Sequence, residues 1–416
     1  MERRSELARH VVLYVVAHQP RRLKLPAEPI PADASPQDIE RCLFDEDLDR
    51  HYFQKAAPNC YHPTTALFHR LVQQGLHLSI GFSFSLLRQA EIWEPELLAR
   101  FQELVAHPNV ELVCEEPYHS FLPLIDLPRF SKRMRWAQQN LDRIFDRKPR
   151  ITDTTEMLMS DAIYWALEKA GFHGALMDGR PRVLEWRQPG YVYHGGGDLR
   201  LLARHHRLSD DVGYRFSDRG ESGWTLAADT YARWIAETPG DLVFLGWDYE
   251  TFGELHSRET GIFEFLAHLP EELTKQGVIS LTPSRALELY GSQAHHLPLP
   301  ALGCTWAGGG GLGFFLGNPC QQTLFRLMFS GYNKALLTGN ARLIDLALWL
   351  MQSDNLHAVQ WAGGWGPEAE ISAGYTPQEW WQRLGTEGIT REMQQVYVNF
   401  HKALEYYTQV AARGAS

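Results

Sequence analysis

The sequence has few cysteines, no excess of basic residues and no long apolar run. Its five cysteines are widely spaced and form no CxxC pair, which argues against a disulfide framework and a zinc–thiolate site. Acidic residues outnumber basic ones by 50 to 40, so the net charge of −10 has the wrong sign for binding phosphates. No stretch approaches the roughly 18 apolar residues that cross a bilayer. We therefore expect neither a nucleic-acid nor a membrane partner.

The N-terminal segment places a charged start before a short apolar run, as signal peptides do, but it lacks a small-residue cleavage site. We therefore predict a cytoplasmic protein with reduced cysteines. Aromatic residues are abundant, with 13 Trp, 16 Tyr and 20 Phe. Trp faces stack well on sugar rings, whereas aromatic side chains also fill large cores, so composition leaves both roles open.

Through about residue 290, short apolar or β-branched runs alternate with longer helical patterns, which is typical of parallel βα units. The strand candidates are Val11–Ala17, Leu78–Phe82, Val110–Cys114, Ile151–Thr154, Ala175–Met177, Leu201–Arg204 and Leu242–Trp247, with a possible further one at Val278–Leu281. Seven or eight such units favour a barrel. A doubly wound open sheet is the alternative, because the number of strands does not show closure.

The composition changes after about residue 290. The glycine-rich segment 308–311 is followed by long helical patterns at 320–353 and 376–412. We therefore predict an α/β barrel domain of residues 1–290 and a C-terminal helical domain of residues 291–416. The segment 20–60 has many charges and little periodicity, and it predicts either a long loop that leaves the first strand or a small excursion over the barrel mouth.

Polar side chains stand where the predicted strands end, which is where parallel βα barrels build their active sites. These residues are His18, Glu115, Glu116, His119, Asp153, Glu156, Asp178, His205, His206, Asp248, Glu250 and Glu254. Many carboxylates with no nucleophilic cysteine or phosphate-binding loop indicate acid/base chemistry on a neutral polar substrate, or binding of a hard cation.

Glycoside cleavage needs two carboxyl groups, and Glu156 and Asp248 are the natural pair because they follow non-adjacent strands. Metal chemistry of the polysaccharide-deacetylase kind needs an Asp near the first strand and two histidines about one helical turn apart. Here the first strand offers His18, and His205 and His206 are adjacent, so their side chains diverge on a strand. We therefore predict no metal and no cofactor. A protein that only binds glucan remains an alternative, although neither carboxylate is lost.

Two short motifs carry a family resemblance. DYETFGE at 248–254, taken with HQP at 18–20, resembles two motifs of glycoside hydrolase family fifty-seven, whose retaining α-glucan enzymes are similar to α-amylases and 4-α-glucanotransferases. Further segments similar to the family are 52–72, 110–124, 152–161, 201–217 and 346–357.

This resemblance implies an incomplete (β/α)7 barrel followed by helices, with Glu156 as the nucleophile and Asp248 as the acid/base. The positions that match the family's sugar-binding cleft are His18, Glu115, His119, Trp306 and Asp354. Trp247 is expected to supply an apolar wall that keeps Asp248 protonated. The implied activity is α-amylase-like hydrolysis of an α-glucan or maltooligosaccharide. A 4-α-glucanotransferase and a catalytically silent glucan-binding homologue are the alternatives.

One segment departs from the family pattern. Where α-amylase-like relatives carry a charged segment of the form SWADxERDxSAWLGN, this chain has TWAGGGGLGFFLGN at 305–318. Four successive glycines oppose helix formation by about 1 kcal/mol each relative to alanine, which predicts a loop and altered substrate positioning.

Overall fold

The predicted barrel strands are all present in the computed structural model, which describes residues 7–218, 220, 226–364 and 366–414. The strands are β1 (His10–Ala17), β2 (Leu78–Phe82), β3 (Val110–Cys114), β4 (Ile151–Thr152), β5 (Gly174–Asp178), β6 (Val192–His194), β7 (Arg200–Arg204), β8 (Leu242–Asp248), β9 (Ile279–Leu281) and β10 (His295–His296). The predicted bounds differ from these by two residues at most. Strands β6 and β10 were missed because neither lies in an apolar run that stands out: Val192–His194 is followed by three glycines, and His295–His296 is a polar pair.

Seven of the strands close into a parallel barrel in the order β1–β2–β3–β4–β5–β7–β8 and back to β1. Strand β8 pairs with β1 over seven residue pairs, from His10↔Leu242 to Val16↔Asp248. Its other edge meets β7 at the single pair Arg204↔Phe244, and we call this the β7–β8 seam. The predicted (β/α)7 barrel is therefore confirmed over the open sheet. Strand β9 extends the sheet at β1, and β6 pairs antiparallel with β7.

The sequence of strand β1 shows why this segment forms a strand that is covered on both faces. Its sequence HVVLYVVA has no interior polar alternation, and every residue after His10 is buried. A continuous β-branched run of this kind suits a parallel strand that is covered on both faces, since an exposed face would select alternating polar residues.

Helices follow the strands and begin at conventional capping residues. Ser83, Ser160 and Thr282 each accept a backbone N–H of the helix that follows them. The helices are Pro36–Leu43, Glu46–Ala56, His62–Gln73, Phe84–Trp93, Pro95–Ala106, Leu127–Phe145, Asp161–Ala170, Pro181–Leu184, His206–Gly213, Ala228–Ala236, Ile262–Lys275, Pro283–Tyr290, Gly313–Leu316, Pro319–Leu337, Ala341–Trp349, Asp354–His357, Pro367–Tyr375 and Gln378–Gly414. Within the described residues, no helix combines the length and the apolar character needed to pass through a membrane.

The chain divides into two compact units. The first comprises Met1–Gln19, Tyr52–Pro117 and Leu127–Trp306, and it contains the barrel. The second comprises Pro20–His51, Tyr118–Asp126 and Ala307–Ser416 and is mostly helical. In the second unit the glycine-rich residues 308–311 form turns rather than helix, as their composition predicts.

Of the two alternatives for residues 20–60, the long loop was wrong. The structure forms the helices Pro36–Leu43 and Glu46–Ala56 there. The first is short, and its charged residues lie around a buried Ile39 and Leu43, so only one turn of apolar periodicity is visible in the sequence. Within the second unit, Asn399 donates to the Glu28 carbonyl at 2.7 Å, which ties this segment to the C-terminal helix.

Candidate active site

The predicted nucleophile Glu156 lies on a strained turn directly after β4. Glu156 and Met157 have φ angles of 58° and 51°, in the left-handed region that non-glycine residues rarely adopt. Such residues cost about 1–3 kcal/mol each and persist where the surroundings hold them. Here the Thr154 hydroxyl donates to the Leu158 carbonyl at 2.5 Å, and Met157 is buried. The fold therefore maintains strain at the residue proposed to react.

A distant segment pairs with this turn and brings Trp306 to Glu156. The backbones of Cys304 and Met159 exchange hydrogen bonds of 2.8 and 2.9 Å, and the Trp306 N–H donates to the Glu156 carbonyl at 3.0 Å. The Trp306 indole Nε1–H then donates to Glu156 Oε2 at 2.7 Å. A hydrogen bond to an ionised carboxylate is among the stronger ones in proteins, so one oxygen of Glu156 is fixed.

The predicted acid/base Asp248 is the last residue of β8, and its neighbour Trp247 faces the other way. Successive side chains of a strand point to opposite faces. Trp247 is 2% exposed, and its Nε1–H donates to the Ser209 carbonyl at 2.9 Å, against the helix His206–Gly213. In this position Trp247 presents almost no surface to a sugar.

The charges of both predicted catalytic carboxylates affect the pKa of Tyr214. Desolvation raises its pKa most, followed by the charge of Asp248, and Glu156 contributes in the same direction. The residue as a whole nevertheless retains 44% of its exposure. The charges of the two carboxylates therefore both raise the pKa of Tyr214.

Inside the barrel, the carboxylates at the ends of three strands affect Tyr14. Its hydroxyl donates to Asp153 Oδ2 at 3.0 Å. Burial raises the pKa of Tyr14 most, and the charges of Asp153, Glu115 and Asp248 add to that effect. The charges of carboxylates at the ends of β3, β4 and β8 therefore all raise the pKa of this one tyrosine.

Glu250 forms a hydrogen-bonded network beside Asp248. Its Oε1 accepts the Tyr61 hydroxyl at 2.6 Å and the His18 backbone N–H at 3.2 Å, while Gln19 Nε2 donates to the Tyr61 oxygen at 3.0 Å. Burial, assisted by the charge of Asp248, raises the pKa of Glu250 to about 8, and the hydrogen bond from Tyr61 opposes that rise. The sequence indicated Glu250 only as one of several strand-end carboxylates.

The remaining predicted residues fall in both units. In the first, a ring nitrogen of His18 and a carboxylate oxygen of Glu115 lie within 4.8 Å of each other, and such groups are donor types that also bind transition metals. In the second, His119 has a φ of 49°, and its carbonyl accepts the Ser353 N–H at 2.9 Å, next to Asp354.

His205 is a helix cap. Its Nδ1 accepts the Leu208 N–H at 3.3 Å, at the start of the helix His206–Gly213. Burial, followed by the charge of His206, lowers the pKa of His205 to about 4. A neutral imidazole acceptor is therefore available to the helix at neutral pH.

Sequence reasoning missed a buried arginine behind this site. Arg204 is 2% exposed and bonds to the Gly246 carbonyl across the β7–β8 seam at 2.9 Å, to Asp210 at 2.7 Å and to Asp178 at 3.3 Å. The available signal was its position as the last residue of a predicted strand, where a charged residue needs a partner.

A closed parallel barrel with carboxylates gathered at its strand ends defines a βα-barrel protein of the kind that places an active site at that end. The model of glycosyl hydrolase family 57 matches residues 12–298, and the chain belongs to this family.

Individual relatives agree with this membership. A Methanocaldococcus jannaschii protein described as a candidate α-amylase is 36% identical over 234 residues, which are 56% of this chain and 50% of that protein. The match thus spans half the length of that relative.

Solved structures share the fold. A branching enzyme of Pyrococcus horikoshii has a TM-score of 0.63 at 15% identity and covers 96% of each chain. A 4-α-glucanotransferase of Thermococcus litoralis has a TM-score of 0.62 at 13% identity, covering 86% of this chain and 59% of its own. The α-amylase AmyC of Thermotoga maritima has a TM-score of 0.57 at 11% identity, covering 98% of this chain and 97% of its own.

Proposed function

We propose that this protein is a retaining, α-amylase-like glycosidase that acts on α-linked glucans. Family membership supports the reaction class. The observation that carries the proposal is Glu156 itself, held on a strained turn with one oxygen bonded to an indole N–H, while its charge and that of Asp248 act on the same tyrosine. Two carboxyl groups at one site are the requirement for glycoside cleavage.

In the proposed mechanism, Glu156 attacks the anomeric carbon of an α-linked glucose unit while Asp248 protonates the departing oxygen. A covalent glycosyl-enzyme forms. Water then attacks it with Asp248 as base, which restores both carboxyl groups and retains the configuration. The residues of this chain supply the nucleophile and the proton, so the proposed reaction uses no cofactor.

The residues that we propose as sugar contacts, each from its match to the family's motifs, are His18, Glu115, His119, Trp306 and Asp354. Trp247 is 2% exposed on the opposite face of β8 from Asp248, so we do not propose that it stacks on a sugar. We also propose that a barrel domain and a helical domain meet near residue 290. We further propose a cytoplasmic location.

Transglycosylation is the second candidate function. Two of the solved structures with this fold are named as a 4-α-glucanotransferase and a branching enzyme. A transferase resolves the same glycosyl-enzyme with a sugar hydroxyl and must keep water away from it. Because the segment 305–318 departs from the family pattern, we keep two alternatives to hydrolysis: transfer, and glucan binding without catalysis.

The test is a time course with maltoheptaose, resolved by chromatography, for wild type, Glu156→Gln and Asp248→Asn. Shorter sugars alone are expected for a hydrolase, and longer sugars as well for a transferase. We expect each variant to lose at least about 10³-fold in kcat, because each removes a group that acts in the transition state. A wild type as inactive as both variants on maltoheptaose and starch would favour the binding protein, and activity that survives in Glu156→Gln would exclude Glu156 as nucleophile.

A further inference from the structure

A cluster of ion pairs formed by Arg204, Arg180, Asp178 and Asp210 lies beside Trp306, the residue that bonds to Glu156. Arg204 donates through Nε to the Gly246 carbonyl and through its two terminal nitrogens to Asp178 and Asp210. Burial opposes the charge of Arg204, but the carboxylates of Asp210 and Asp178 outweigh it and raise the arginine pKa. The guanidinium is therefore a permanent cation in a defined orientation.

Two arginines of this cluster hold Trp306. The Arg204 guanidinium lies 5.4 Å from the centroid of the Trp306 ring. Arg180 donates to the Trp306 carbonyl at 2.6 Å and pairs with Asp178 Oδ2 at 3.0 Å. Because both arginines share Asp178, the ring and the backbone of Trp306 are fixed relative to the same carboxylate.

The Trp306 indole Nε1–H bonds to Glu156 Oε2 at 2.7 Å. A cation over an aromatic face is attracted to its electron density and polarises the ring, which strengthens the ring N–H as a donor. A stronger donor favours the ionised carboxylate. A continuous path therefore runs from Asp178 through Arg204 and Trp306 to Glu156.

We propose that Arg204 is a positioning residue that acts through Trp306 to orient Glu156 and to keep it ionised. This inference rests on the proposed function, in which Glu156 is the nucleophile.

Lysine cannot replace Arg204 in this role. The guanidinium is planar, and its three nitrogens bond three acceptors in fixed directions while its carbon lies 5.4 Å from the centroid of the Trp306 ring. An ammonium group keeps the charge and three N–H donors, but these share one nitrogen and do not reproduce the separate positions from which the guanidinium reaches Gly246, Asp178 and Asp210. Arg204→Lys therefore tests geometry at constant charge, and Trp306→Phe tests the N–H donor while it preserves the ring.

The first measurement is the pH dependence of kcat and kcat/KM on maltoheptaose. We expect Arg204→Lys to lower kcat by about tenfold to a hundredfold with KM within about threefold, since positioning acts mainly on the chemical step. The acid limb of kcat/KM is expected to rise by about one pH unit, because the ionised nucleophile loses part of its stabilisation. Leu266→Ala, a buried change in the helix Ile262–Lys275, is the control for lost stability alone and is expected to leave the limb in place.

The coupling between the two residues is the sharper test. If Arg204 acts through Trp306, the double variant Arg204→Lys/Trp306→Phe should be no worse than Trp306→Phe alone. Fully additive losses, or an acid limb that does not move, would overturn the proposal even when wild type is active and Glu156→Gln is not.

A direct titration separates this inference from the proposed function. The carboxyl pKa of Glu156 is followed by ¹³C NMR in protein labelled at glutamate, with the signal identified by its loss in Glu156→Gln. We expect the pKa to rise by about one unit in both Arg204→Lys and Trp306→Phe. This readout needs no turnover, so an unchanged pKa rejects the positioning role even if the protein proves catalytically silent.

Discussion

Glu250→Gln should make the protein more stable at alkaline pH. A protonated glutamic acid and a glutamine have the same shape and each retains a carbonyl oxygen, which here accepts the Tyr61 hydroxyl and the His18 N–H. Glutamine therefore preserves the network but cannot ionise. The difference in unfolding free energy between wild type and Glu250→Gln therefore isolates the cost of ionising this carboxyl group in its buried position beside Asp248.

The magnitude follows from the raised pKa. Burial raises the pKa of Glu250 from 4.5 to about 8. Between these pH values the unfolded chain has released a proton that the folded protein retains, so stability falls as pH rises. The stabilisation is complete below about pH 4.5 and is lost by about pH 8. The full interval corresponds to about 5 kcal/mol, and because water still reaches part of this half-buried side chain, we expect about 2–3 kcal/mol.

The assay is denaturant unfolding of wild type and Glu250→Gln at intervals from pH 5 to pH 9. The difference in unfolding free energy should be near zero at pH 5 and should reach about 2–3 kcal/mol in favour of glutamine above pH 8. Glu254→Gln, in the same segment, controls for the loss of a carboxyl group. Parallel stability curves for wild type and Glu250→Gln would refute the reasoning, since they would mean that Glu250 titrates alike in the folded and unfolded states.

Three further substitutions test the structure. Gly253→Ala places a Cβ 2.1 Å from the Asn59 carbonyl at a φ of +118°, and we expect denaturant unfolding to register a loss of about 3–5 kcal/mol; a loss below 1 kcal/mol would contradict the close approach. Asn318→Ala removes a capping box and two hydrogen bonds to backbone carbonyls, which should cost about 2–3 kcal/mol in the same assay, with Asn318→Asp recovering the cap alone. Trp247→Phe loses the bond to the Ser209 carbonyl and should cost about 2 kcal/mol with KM changed less than twofold; a large rise in KM would mean that Trp247 contacts the sugar.

Much of the barrel was predictable because a parallel βα unit is a local pattern. Strand β1 is a continuous β-branched run, and β2 and β3 were predicted with their observed bounds. The strand-end rule also indicates Glu156 and Asp248 as candidates from the sequence alone. By contrast, the helices of residues 36–56 were missed because their apolar positions are few and their charges dominate the composition.

The structure added the arrangement around Glu156. Trp306 lies 150 residues further along the chain, and its bond to Glu156 depends on the pairing of two irregular segments that no local pattern marks. The role of Arg204 depends on the β7–β8 seam, where one ladder pair brings its guanidinium to the carbonyl of Gly246.

By itself, then, the sequence determined the βα order, the ends of the strands and the kinds of side chain that stand there, because these follow from hydrophobic runs and their punctuation. Tertiary structure alone decided which partner each of these side chains meets. Trp247 is adjacent to Asp248 but lies on the opposite face of β8, where 2% of its surface is exposed. Trp306 is remote in sequence, yet it bonds to the predicted nucleophile. The physical reason is that strand register and barrel closure choose faces and long-range contacts, and both are set by packing across the whole barrel rather than by neighbouring residues.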